Sequence, residues 1–186
     1  MKKLTLAIIA VLGFGFGASA QDTNIDFHTV TITIPEVALL DIELAGSKNI
    51  TTTFTAPTEA GEAIVAPTTG LGSLWLNYSS IVTASGLDMS RTVSVKASGL
   101  IAGTSLNVTA GVPVITGGGT GGSPVAITAI TAADQTIISG IGSVWTGDGV
   151  NSGSNITYAL TAPAASYGSL VAGTTAVTVT YTLSDN

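Results

Sequence analysis

Cysteine is absent from the 186 residues, histidine occurs once, as His28, and Asp, Glu, Lys and Arg together make up only 9% of the chain. Without cysteine there is no disulfide framework, no thiolate metal site and no thiol nucleophile. It also excludes a lipid anchor on an N-terminal cysteine. A single histidine leaves no cluster of imidazoles for zinc and no partner fixed by spacing for a serine nucleophile, and no G-x-S-x-G elbow occurs. Beyond Lys2 and Lys3 the cations are Lys48, Arg91 and Lys96, set against eleven carboxylates. Three scattered cations make no basic patch, which argues against nucleic acid and anionic membranes as partners. No run is long and apolar enough for a membrane helix, which needs about 20 residues. The chain reads as a non-enzyme with no cofactor and no metal.

What is present begins with an export leader. Lys2 and Lys3 form a positive n-region, residues 4–16 an apolar run, and Ala18-Ser19-Ala20 an A-x-A cleavage site. The expectation is a cleaved signal peptide over residues 1–20, a mature start at Gln21, and one domain over 21–186. A domain of this size can bury a sufficient core without staples. The location implied is the periplasm, the cell surface or the outside of the cell.

The mature part is dominated by Thr, Ser, Gly, Ala and Val. Residues 27–34 alternate with period two, Val30, Ile32 and Ile34 opposing Thr29, Thr31 and Thr33. Residues 177–183 repeat the device, with Val177, Val179, Tyr181 and Leu183 opposing Thr178, Thr180 and Thr182. Such alternation predicts strands with one face in a core and one in water, and Thr suits the wet face because its β-branch favours extended backbone. Further strands are predicted at 37–44, 50–55, 73–82, 92–97, 105–110, 125–130, 136–139, 141–145 and 156–161. Gly, Pro, Asn and Asp punctuate them, and a helical turn fits best at 56–67. The fold class expected is an all-β, immunoglobulin-like β-sandwich of about eight to ten strands.

Two pairs of segments echo each other: residues 49–57 resemble 155–163, and 70–75 resemble 140–145, ending on Trp75 and Trp145. One reading is reuse of strand-and-turn chemistry; the sharper one is pseudo-symmetry, with the counterparts in facing sheets and both tryptophans as core anchors. Residues 117–122 spell G-x-G-x-x-G, yet Ser123-Pro124 and another β-run follow where a dinucleotide site needs a helix, so a loop is expected. The oxygen-rich loop 146–155 contains one carboxylate, Asp148, too few for a firm calcium site, and reads as a surface loop. Asp41 and Glu43 share a strand face, the pattern of a solvated face more than of an acid/base pair. Sequons at Asn49, Asn77, Asn107 and Asn155 are read as chance in an Asn- and Thr-rich chain.

The residues 167–181, with Tyr167-Gly168-Ser169-Leu170, Ala172-Gly173-Thr174 and Val177-Thr178-Val179-Thr180-Tyr181, resemble the closing strand of secreted spore-coat-U-type pilins. That resemblance implies an immunoglobulin-like sandwich assembled by donor-strand exchange; the cysteine pair those pilins often carry is missing here. Val179-Thr180-Tyr181-Thr182-Leu183-Ser184-Asp185 also resembles the end of WxL cell-surface domains, which attach to cell wall, with Tyr181 standing where that family has Trp. The chain as a whole looks like short exported β proteins of Bacteroidetes-type bacteria. The leading expectation is an exported bacterial structural or surface protein, a pilin-like subunit that self-associates through its uncharged terminal strands. The alternative is a carbohydrate- or cell-wall-binding module using Trp75, Tyr78, Trp145 and Tyr158 as stacking platforms. Exposure of those four rings discriminates between the two.

Overall fold

The structure, a computed structural model, describes residues 24–186 apart from 45, 69, 70, 73, 87 and 128. The signal peptide expected over residues 1–20 and its cleavage site lie outside the described residues. The chain divides into two units, one ending at Thr33 and one running from Ile34 to Asn186. In the first, residues 24–33 form no regular secondary structure. The strand predicted over 27–34 is therefore not formed, and Phe27, Val30 and Ile32 are 88, 69 and 80% exposed. Alternation gives a segment the capacity for a strand, but only a partner edge supplies the hydrogen bonds.

The second unit is all β apart from one short 3-10 helix. Among the described residues its strands are β1 (Val37–Glu43), β2 (Leu74–Ile81), β3 (Arg91–Ser98), β4 (Ser105–Ala110), β5 (Gly121–Pro124), β6 (Gln135–Ile141), β7 (Val144–Trp145), β8 (Ser154–Thr161) and β9 (Thr178–Asp185). They make two antiparallel sheets. The first runs β1-β2-β8-β4, with β7 also paired to β2; the second runs β5-β6-β3-β9. The 3-10 helix lies at Ala164–Ser169, while 56–67 holds a single turn in which Glu62 N donates to Glu59 O at 3.4 Å. Pro163 begins it with φ −61°, the value a proline ring fixes and a helix start accepts.

The sheets close on one sandwich-like core. β2 contributes Leu74, Leu76 and Tyr78, β3 Val93, Val95 and Ala97, β4 Val108 and Ala110, β6 Ile137, Ile138 and Ile141, and β8 Ile156. β3 has the cleanest pattern, buried at every second residue, because β6 and β9 pair with it on both sides. β6 breaks the alternation: Val93 faces Ile138 while the next residue, Ser94, faces Thr136. The extra residue is a bulge, and it lets the adjacent Ile137 and Ile138 both reach the core. The strands expected at 136–139 and 141–145 are thereby redrawn as β6 and the separate β7. Residues 50–55 and 125–130 also fail to form strands; each makes a single bridge, Thr55 to Val65 and Ile127 to Val108.

Arg91, 1% exposed, ties the two sheets together at one end. Its Nη1 donates to Val37 O at 2.6 Å, Ser80 Oγ at 3.1 Å and Ile81 O at 3.1 Å, Nη2 pairs with Glu36, and Nε lies 2.8 Å from the Asp185 carboxylate. A buried guanidinium is tolerable only with this many acceptors around it. The seam between edge strands β1 and β9 is less complete. Leu40 and Ile42 on β1 and Val179, Tyr181 and Leu183 on β9 pack against the core yet stay only partly buried.

Candidate functional site

The four aromatic residues proposed as platforms separate into two pairs. In β2 the even positions Leu74, Leu76, Tyr78 and Ser80 are buried, so the odd positions Trp75, Asn77 and Ser79 belong to the outer face. Tyr78 is 3% exposed, and its hydroxyl donates to Gly121 O in the other sheet at 2.5 Å. Tyr158 reaches across in the same way, its hydroxyl 2.6 Å from that of Tyr181 on β9. The Tyr78 ring is thus committed to the core, and Tyr158 packs against it partly buried. Burial raises the Tyr78 hydroxyl to about 12, and it raises those of Tyr158 and Tyr181 as well.

Trp145 and Trp75 lie on the outer face of the first sheet. Their strands, β7 and β2, are neighbours in one sheet, so the two tryptophans lie neither in facing sheets nor in the core, contrary to the pseudo-symmetric reading. Trp145 is 52% exposed. Cross-strand pairing builds three rows on this face: Leu39, Ser79 and Trp145; then Asp41 and Asn77; then Glu43, Trp75 and Asn155. Along the first row, a depression of about 530 Å³ is lined by Leu39, Asp41, Asn77, Ser79, Trp145 and Asp148, among others.

The backbone holds Trp145 from below. Its carbonyl accepts from both Thr116 N at 3.2 Å and Gly117 N at 3.1 Å. Gly117 is buried against the indole: a Cβ there would stand 1.9 Å from Cε3, so only glycine lets the chain pass under the ring. The next residue, Thr146, is fully buried; its N donates to Tyr78 O and its Oγ1 accepts from Tyr78 N. The G-x-G-x-x-G letters thus serve as a loop running into β5, and its first glycine seats a tryptophan.

The loop 147–153 closes one side. Asn77, though on the outer face, is 5% exposed because this loop covers it; its Nδ2 donates to Gly149 O at 2.9 Å. Gly153, with φ +67°, lies so close to β2 that a Cβ would stand 2.1 Å from Leu76 O. Among the described residues no group of three His, Asp or Glu could hold a metal ion.

The strands of this face carry the carboxylates Asp41 and Glu43, with one cation, Lys48, at the rim. Lys48 donates to Asp41 at 2.8 Å, and that contact holds the Asp41 carboxyl below its ordinary value. Sharing a hydrogen bond with Asp41 moves Glu43 the other way, upward. The pair was legible as a same-face i, i+2 couple; the roles of Leu39, Asn77 and Gly117 were not. The outer face of the second sheet is different in kind, a hydroxyl surface of Thr92, Ser94, Thr136, Thr182 and Ser184 crossed by a Lys96–Asp134 ion pair at 3.2 Å. His28, in the first unit, is exposed. Neither a protein-family model nor any curated protein or solved structure matches the chain.

Proposed function

We propose that the protein is an exported structural subunit that associates with copies of itself by strand exchange, on an immunoglobulin-like sandwich at or beyond the cell surface. The observation that carries this reading is residues 27–34. The segment has the period-two pattern of a half-buried strand, yet it forms none, and it exposes Phe27, Val30, Ile32 and Ile34. Apolar residues so regularly spaced and so exposed fit an edge on another copy.

A receptive edge also exists in the second unit. β9 pairs with β3 on one side only, carries no charge between Thr178 and Ser184, and leaves Val179, Tyr181 and Leu183 partly buried. An added strand would complete both the ladder and the burial. The scarcity of reactive side chains suits a protein whose work is backbone pairing.

Size-exclusion chromatography and electron microscopy of concentrated protein test the reading. The chain from Gln21 is expected to form oligomers or filaments, and a chain beginning at Glu36 to remain a monomer with unchanged circular dichroism. A stable monomer for both would overturn it.

A further inference from the structure

The outer face of the first sheet has no part in that assembly, and its chemistry points elsewhere. Trp145 is half exposed, and Leu39, on the far side of Ser79 in the same row, is 66% exposed. Nothing in the packing of the core requires an indole there: β7 already contributes Val144, 5% exposed, to the interior. The ring is nonetheless fixed, with its carbonyl held by two N–H donors and Gly117 beneath it. A rigid, flat, half-open aromatic ring costs little further entropy when a ligand settles on it.

We propose that this face is a binding site for an uncharged glycan, with Trp145 as the stacking platform. A pyranose ring offers one face of C–H groups and a rim of hydroxyls. The C–H face matches the indole and Leu39; the hydroxyls match the acceptors around the depression, the Asp41 and Asp148 carboxylates and Ser79 Oγ. Carboxylates are strong acceptors for ligand hydroxyls. The same carboxylates select against anionic saccharides, since the cation at the rim, Lys48, is engaged by Asp41.

The pairing geometry also sets a length. Trp75 lies on the same face of β2, four residues before Ser79, the cross-strand partner of Trp145. Strand rise and strand spacing place the two residues ~14 Å apart. That separation suits several sugar units of an extended chain, so an oligosaccharide binds better than a monosaccharide.

Isothermal titration of the full chain with cellohexaose, maltohexaose and the fully N-acetylated chitohexaose, and with oligogalacturonate as the acidic control, tests the site. At least one neutral oligosaccharide is expected to bind with millimolar affinity or better and to change tryptophan fluorescence. Trp145→Ala is expected to weaken binding about ten-fold or more, and Trp145→Tyr to retain part of it. Asp148→Asn, on an exposed loop, supplies a variant whose folding is not in question, and it is expected to weaken binding without abolishing it. The proposal is overturned if no neutral oligosaccharide binds, if oligogalacturonate alone binds, or if Trp145→Ala binds as well as wild type. Association of two copies through the Trp145 face in place of saccharide binding overturns it too.

Discussion

Two residues show how single side chains set local order. Arg91 gathers acceptors from β1, β2 and β9. Arg91→Ala would leave the Val37 and Ile81 carbonyls without this donor and open a cavity, at a cost of about 3 kcal/mol or more. Arg91→Met, which restores volume but no donor, is expected to recover only part of that; urea unfolding of the two variants measures the difference. Gly117 acts by absence. Its backbone conformation is one that other residues adopt, so Gly117→Ala is opposed only by the indole above it. The expected outcome is a loss of about 1–3 kcal/mol and a red shift of Trp145 emission as the ring is pushed off its seat. A fluorescence spectrum identical to wild type would contradict that account.

At the scale of elements, β6 makes the sharpest prediction. Strict alternation would bury one of Ile137 and Ile138 and expose the other, whereas the bulge buries both completely. Ile137→Ala and Ile138→Ala are each expected to cost about 2–5 kcal/mol in urea unfolding. A near-neutral result for either would mean that the bulge is absent. This is also where reading from residues alone reached its limit. β2, β3, β4, β8 and β9 were legible because each is long enough for period two or a β-branched run to stand out. β6 was split in two because a bulge erases that period. Residues 50–55 and 125–130 have strand-like composition, but pairing partners decide whether composition becomes a strand. The parity of β2 did contain the fate of Tyr78, which shares a face with Leu74 and Leu76. The exposure of Trp145 depended instead on Gly117, nearly thirty residues away in sequence, and no local pattern could have carried it.

For the molecule as a whole, tyrosines join the sheets: Tyr78 bonds to β5, and Tyr158 on β8 meets Tyr181 on β9. Burial raises all three in the folded state above the unfolded value of about 10. The unfolded chain therefore loses these protons first as pH rises. The stability they contribute is complete below about pH 10 and is lost above it, by something of the order of 1 kcal/mol per pH unit for each tyrosine. Urea midpoints are expected to hold steady from neutral pH to about 9 and then to fall steeply, and Tyr78→Phe is expected to reduce the slope. A midpoint that does not move up to about pH 11 would argue against the buried tyrosines as the cause.

The register of β9 on β3, in which Ser98 faces Thr178 and Arg91 faces Asp185, has a consequence in time. All of β4 through β8 lies between these partners along the chain. A chain emerging from a channel can join β2 to β1 and β8 to β4 while one flank of β3 still waits for its last neighbour. During that interval β3, the most regularly apolar strand of the second sheet, stays open on that side. Pairings so distant in sequence close slowly. The moment of greatest exposure to the wrong partner therefore falls late in folding, when most of the molecule is already built.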